Sequence, residues 1–464
     1  MQDYDAIVIG AGVGGSNVAA ALTAAGMRCL IIEAGRYRSR QDYPRGELDG
    51  NAQLFWNGGM ELNTSATLAL LRARVVGGGS IVNQALLDEF DDIALDDWRE
   101  RTGITWFSTA GMAPLYAEAK ASVSIQQVPV EHANRNARIF KQGFENCGFQ
   151  CKPLQRGQSG CRHEEGNDCI ECLYGCRLDS KQATPLTSLQ RALKAGAKLL
   201  TECEVEAIAE QAGFSEVHAR LADGRPVSFR CNSLILAAGT LGSNALLLKS
   251  GWQDRLPALG QGFYCHPQFM YFARYREPVD AQRGPFQSYK SDDAGFRQQG
   301  FKLENVFAPP IGTALMLPGL GLGHQRQMAL MRHFACIEVA VRDSHPGSLH
   351  LSGQGRLQIN KELNSEDRQR AKAGYAAVER IFRSTGAEQI HSGRFGIGLH
   401  LMGGLRLARR PEEGCVEGNF RLFGSRRVYA ADASVFPSAP GINPSLTIMA
   451  LARKAAAHIL EDAR

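Results

Sequence analysis

The chain has 464 residues, 44% hydrophobic and 21% charged, the balance of a soluble globular protein with room for two or three domain-sized units. A net charge of only +5, without a long Lys/Arg cluster, argues against a nucleic-acid binder. No stretch is apolar and long enough to be a transmembrane segment, and the opening MQDYD has two acids and no base, so a secretory signal is not expected; a cytoplasmic chain is expected, with a periplasmic or membrane-associated place through a partner subunit as the alternative.

Residues 4–10 (YDAIVIG) form a short apolar, β-branched run that predicts a buried strand. Gly10, Gly12 and Gly15 follow as G-x-G-x-x-G, and an Ala-rich helix is expected directly after them. RCLIIEAG (28–35) predicts a second strand ending at Glu33. In this order the glycines serve a tight turn, close approach of a pyrophosphate and helix–strand packing. The helix N-terminus attracts phosphate, and Glu33 can accept from a ribose hydroxyl. The motif fits FAD and NAD equally. ARVVGGGSIVNQALLDE (73–89) is a glycine-rich turn with Gly78, Ser80 and Asn83.

Four cysteines then crowd together as Cys161-x7-Cys169-x2-Cys172-x3-Cys176, among charged and Gly residues. In a large chain without a signal peptide a disulfide framework is not expected. Four close thiols suit an iron–sulfur cluster (3Fe–4S or 4Fe–4S), with Cys151 as a substitute ligand. Bare structural thiols, a Cys169–Cys172 redox pair and zinc are the competing readings. The cysteines at 29, 203, 231, 265 and 336 lie in or beside apolar runs and read as small buried hydrophobes.

Further along, SLILAAGTLGSNALLLKSG (233–251) predicts a strand, a turn with Ala238 and Gly239, and a helix. Strand-like runs fill 255–400, and VFAPPIGTALMLPGLGLG (306–323) is unusually apolar, either packed against a core or lining an apolar pocket. VYAADASVFPSAPGINPSLTI (428–448) places Asp432, Ala433 and a Pro/Gly loop with Asn443 and Pro444 before a closing helix.

Together these segments resemble the glucose–methanol–choline (GMC) oxidoreductase family over most of the chain. VVGGGSIVN and PGINPSLTI are similar to its cholesterol oxidase branch, and CIECLYGCRLDSKQ to its long-chain fatty alcohol oxidases and dehydrogenases. The resemblance implies an α/β fold, with a Rossmann-like FAD-binding domain over 1–255 and 400–464 carrying a Cys-rich insertion at 151–182. A substrate domain built on an antiparallel sheet is implied over 256–399. It further implies that Ser80, Asn83 and Asp432 lie near the flavin and Val205 near the adenine. His400, in GLHLMGG, takes the place of the catalytic base, and Asn443 that of a donor to the substrate oxygen. His266, in FYCHPQF, reads as structural.

The expected reaction is oxidation of an alcohol with hydride transfer to flavin N5. The alcohol is expected to be hydrophobic, with electrons leaving through the cluster to a cytochrome or small-subunit acceptor. A sugar or polyol dehydrogenase, an oxygen-using oxidase and a non-oxidising lyase or decarboxylase on the same fold are the alternatives.

Overall fold

The structure, a computed structural model, describes residues 2–162 and 169–464, apart from the side chains of Gln2 and Cys169. The expected strand–turn–helix opening is present: strand Gln2–Ile9, helix Val13–Ala24, strand Cys29–Ile32. Ile7, Val8 and Ile31 have no exposure, because a central parallel strand is covered on both faces and selects β-branched side chains for both.

These strands belong to a seven-stranded sheet. Lys198–Leu200, Cys29–Ile32, Gln2–Ile9 and Pro226–Leu236 run parallel in that spatial order. The long strand Pro226–Leu236 changes partner along its length. Its first half pairs antiparallel with Ser215–Leu221, and its end pairs parallel with Val428–Ala430. The chain's two ends therefore meet at the carboxyl ends of these parallel strands, where nucleotides bind in open α/β sheets. Closing helix Ser445–Asp462 packs on Val13–Ala24.

A nine-stranded sheet forms the second unit, centred on Phe334–Val341, which pairs antiparallel with Pro267–Arg274 on one side and Phe301–Asn305 on the other. Helix Ser365–Ser384 covers one face, with Gly374 against Val339. The apolar residues Leu303, Ile337 and Val339 are fully buried, while the alternate positions Lys302, Glu304 and Glu338 are buried polar residues. Alternation of side chains along a strand sends these two sets to opposite faces.

The two sheets do not divide at the expected boundaries. Strands Glu61–Leu62, Leu68–Leu70 and Cys151–Pro153 belong to the nine-stranded sheet, although they precede residue 256. The 151–182 segment is likewise no detached insertion. It starts as an edge strand of that sheet and pairs Arg156–Gly157 with Ile125–Gln126. The reason is register: short strands join whichever sheet edge offers unpaired backbone groups, whatever their place in sequence.

Gly14, outside the three-glycine motif, makes the tightest helix contact: a Cβ there would lie 1.9 Å from the Ala431 carbonyl oxygen. Gly14→Ala must push the first helix away from the end of strand Val428–Ala430. Urea unfolding should show a loss of about 1–3 kcal/mol, with a lower bound flavin content.

Candidate active site

The first helix starts at Gly12 with no side-chain cap, so its leading N–H groups are available to an anion. Gly10 has φ +104°, and a Cβ on it would meet Ala237 O at 2.3 Å. Gly12 faces the Cα of Gly78, and Gly15 packs under Gly10 O and Val8. Glu33 accepts from Ala11 N (2.8 Å) through Oε2 and from Gly35 N (2.7 Å) through Oε1. Burial raises its carboxyl pKa, and these two N–H groups oppose the rise. Each oxygen keeps a further lone pair for a ribose hydroxyl.

Ser80 donates to Gly77 O (2.6 Å) and accepts from Thr184 N (3.1 Å). With Val13, Asn17, Asn83, Thr187 and Ser445 it lines a cleft of mixed polar and apolar side chains beside the start of the first helix. Val205 is half-buried on strand Cys203–Glu210. Asp432 is buried and binds both ends of the neighbouring turn. It accepts from Gly239 N (2.9 Å), Ser243 Oγ (2.6 Å) and Ser434 N (2.8 Å). Ala238 caps helix Gly239–Lys249, Ala433 is buried in the turn after Asp432, and Pro444 caps the closing helix. Uncapped helix N–H groups and a carboxylate with open lone pairs suit the pyrophosphate and ribose of FAD.

His400 stands against His266, Nδ1 to Nδ1 at 2.9 Å. The other nitrogen of His266, Nε2, accepts from Gly441 N–H at 2.9 Å. Burial, followed by the neighbouring His400, holds His266 well below its ordinary pKa. Burial, then the charge of Lys302, holds His400 at about 3. Both rings are therefore neutral near pH 7. A neutral His266 whose Nε2 accepts must carry its hydrogen on Nδ1 and donate to His400. His400 then carries its own hydrogen on Nε2, facing away from His266. His266, expected to be structural, thus sets the tautomer of the expected catalytic histidine.

Asn443 is buried in a charged layer. Its Oδ1 accepts from Lys302 Nζ (2.7 Å), and its Nδ2 donates to Asp88 Oδ2 (2.8 Å) and Glu304 Oε1 (3.0 Å). Both amide hydrogens are occupied, so the expected donation from Asn443 to a substrate oxygen meets a filled amide. Lys302 also binds Glu304 (2.5 Å), and Lys290 binds Asp88 (2.5 Å). Register aligns Lys290, Glu304 and Glu338 across three strands. Burial and the Glu304 charge raise the Glu338 pKa, so that it keeps a proton and hydrogen-bonds Glu304. The layer thus pairs Asp88 with Lys290 and Glu304 with Lys302. Sequence reading missed Lys302, Glu304 and Glu338. The available signal was a lone Glu inside the apolar run ACIEVAV and the alternation FKLEN.

In the cysteine run, the thiols of Cys172 and Cys176 hydrogen-bond; that contact and then burial raise the Cys176 pKa. The expected ligand Cys169 has its side chain outside the described residues, as do residues 163–168. Among the described residues, no group of three or more His, Cys, Asp or Glu is gathered to hold a metal ion, Cys161 and Cys151 included. What the run does offer is Lys181. Its buried ammonium donates to Ile81 O (2.5 Å), Asn83 O (2.8 Å) and Cys172 O (2.6 Å), which ties the cysteine turn to the Gly78–Asn83 turn.

Two models of the GMC oxidoreductase family match this chain, at residues 4–268 and 343–452. The chain belongs to the GMC oxidoreductase family. As a GMC oxidoreductase it is an FAD-dependent enzyme acting on CH–OH donors. An uncharacterised GMC-type oxidoreductase of Mycobacterium tuberculosis is 27% identical, over 97% of this chain and 74% of that protein. A long-chain-alcohol oxidase of Arabidopsis thaliana is 25% identical over 97% of this chain, which spans 66% of that longer protein. Among solved structures, pyridoxine 4-oxidase from Mesorbium loti superposes with a TM-score of 0.77 at 15% identity, over 98% of both chains. No helix among the described residues is long and apolar enough to cross a membrane.

The imidazole pair makes a pH prediction. His400 titrates near its ordinary value of 6.5 when unfolded and at about 3 when folded, so below pH 6.5 the unfolded state binds more protons and stability falls. Between pH 7 and pH 5 this group alone should remove about 2 kcal/mol. Urea unfolding at the two pH values should show the loss, reduced in His400→Gln.

Proposed function

We propose that this enzyme oxidises an apolar alcohol and that His400 meets the alcohol oxygen through Nε2. The observation that carries the reading is the His266–His400 contact, which leaves that one edge of a neutral, buried imidazole free of protein partners among the described residues. FAD accepts the hydride when bound. The protein's part is to place the alcohol, hold the hydrogen on His400 at a defined nitrogen, and keep charge near the reacting oxygen.

The apolar preference is supported by the 306–323 segment and by the long-chain-alcohol oxidase relative. Val306, Phe307, Met316 and Leu317 pack into the core of the substrate-side sheet. Leu320 and Leu322 are 84% and 71% exposed, an apolar surface next to that packed part.

Electrons then pass to molecular oxygen, as the relative's name suggests. A second reading, a dehydrogenase with an iron–sulfur relay to an acceptor protein, is favoured by the adjacent Cys172 and Cys176 thiols, held by Lys181 against the Gly78–Asn83 turn.

His400→Ala should slow alcohol-dependent flavin reduction by roughly 100- to 1,000-fold, the usual range for a preorganised hydrogen-bond donor at the reacting oxygen, while FAD stays bound. An undiminished anaerobic rate removes His400 from the reaction. With the wild-type enzyme, kcat/KM should rise with chain length along a series of primary alcohols and be lowest for glucose. The reverse order would make the enzyme a polyol oxidoreductase. Iron and acid-labile sulfide on protein purified without oxygen separate the two electron routes: a value near zero supports oxygen use, and about three or four per flavin supports the relay.

A further inference from the structure

Two half-buried thiols that the alcohol oxidation itself does not use stand in contact in the cysteine turn. Residues Cys169–Tyr174 form a 3-10 turn, and Gly175 follows it with φ +105°. A Cβ on Gly175 would lie 2.2 Å from the Tyr43 ring, so only glycine lets the chain turn back beneath that tyrosine. Gly175 N–H donates to Cys172 O (3.3 Å), and the turn brings Cys176 against Cys172, thiol to thiol. Cys176 also lines a cavity of about 220 Å³, with Tyr37, Arg38, Tyr43, Asp179 and Lys181. A small polar oxidant fits there beside the sulfur.

The surroundings give the two sulfurs different roles. Contact with Cys172, then burial, raises the Cys176 pKa, so Cys176 keeps its hydrogen and donates to Cys172. The backbone N–H and the ammonium of Lys181 act the other way and favour a thiolate at this spot. Where one thiol donates to another beside a cation, the accepting sulfur is the one that attacks. Lys181 also connects the turn to the cofactor side. The same ammonium binds Cys172 O (2.6 Å), Ile81 O (2.5 Å) and Asn83 O (2.8 Å). Cys172 and the glycine-rich turn at 78–83 therefore share one buried cation.

We propose that Cys172 and Cys176 form a peroxide-sensing dithiol whose disulfide loosens the FAD site. The oxidant is hydrogen peroxide, which is also what molecular oxygen becomes when it takes two electrons and two protons. The source of the oxidant, though not the switch itself, thus rests on the oxygen-using reading above. In the first step the Cys172 sulfur attacks one peroxide oxygen, the O–O bond breaks, and the other oxygen leaves as water with the thiol proton. Cys172 is then a sulfenic acid. The Cys176 sulfur attacks the Cys172 sulfur, the S–O bond breaks, a second water leaves and the disulfide forms. Two thiols lose two electrons, and one peroxide is reduced to two waters. Bonded sulfurs stand closer than hydrogen-bonded thiols. Tyr43, packed on Gly175, holds the Cys176 end of the turn. The shift therefore falls on Cys172 and draws its carbonyl away from Lys181, which loses an anchor for the 78–83 turn.

The test adds a small excess of hydrogen peroxide to the FAD-loaded enzyme. Free thiols are counted, the cysteine peptides are mapped by mass, and FAD release on dilution is followed by flavin fluorescence. The wild type should show a Cys172–Cys176 link, about 2 Da lighter than the dithiol. FAD affinity should fall roughly 10-fold, within the usual coupling between linked sites, and dithiothreitol should restore it. Cys172→Ser and Cys176→Ser should each show no peroxide-dependent fall. A link from Cys172 to Cys161 or Cys169, sulfinic acid in place of a disulfide, iron bound at these cysteines, or a disulfide that leaves FAD affinity unchanged overturns the assignment. If the variants fail to fold or to hold FAD, the wild-type map and affinity still decide. Peroxide produced during alcohol turnover in air is assayed alongside. Its absence, while added peroxide still closes the disulfide, refutes only the oxygen-using reading; no disulfide with added peroxide refutes the switch.

Discussion

A lysine ammonium can be buried only if acids meet it, and the structure around Lys302 follows from that requirement. Glu304 and Asp88 supply the opposing charge, Lys290 balances the second acid, and Glu338 retains a proton because a third carboxylate beside Glu304 would be unpaired. The groups come from a loop near residue 88, three strands of the substrate-side sheet, and the Pro/Gly loop before the last helix. Their mutual satisfaction locks these distant segments together. A change at one member leaves another buried charge without its partner, so the layer should respond to substitution as a unit.

The imidazole pair depends on this layer. Lys302 discourages a proton on His400, and a backbone N–H from Gly441 dictates which nitrogen of His266 carries hydrogen. Gly441 and Asn443 lie in the same loop, so one turn of chain orients both the neutral and the charged halves of the site. A protein environment that fixes tautomers in advance need not reorganise when charge develops on a substrate, which is how such preorganised groups act.

Lys181 performs a comparable task on the cofactor side. Its three carbonyl acceptors draw the cysteine turn onto the glycine-rich turn at 78–83. The ends of the first helix, strand Pro226–Leu236 and the Asp432 turn close the remaining sides through backbone contacts, so little of that surface depends on side-chain identity beyond small size. That explains why glycines and alanines dominate there: carbonyl oxygens lie where Cβ atoms would otherwise stand.

These differences mark what could be read in advance. The nucleotide-binding opening, Glu33, Asp432 and the closing helix were legible because each is local: a strand, a turn and a helix within a short span leave a pattern in neighbouring residues. His400 was singled out only through resemblance to a family, since a single histidine has no pattern of its own. The membership of the short strands at 61–70 and 151–153, the filling of the Asn443 amide, and the tautomer of His400 were not legible. Each depends on groups far apart in the chain, brought together by sheet pairing. By itself, the sequence determined the kind of cofactor site and the order of its parts, because phosphate binding is a short-range backbone property. Only the tertiary structure decided which polar groups are buried together and how they pair, because burial and opposing charge are set by neighbours that sequence distance does not reveal.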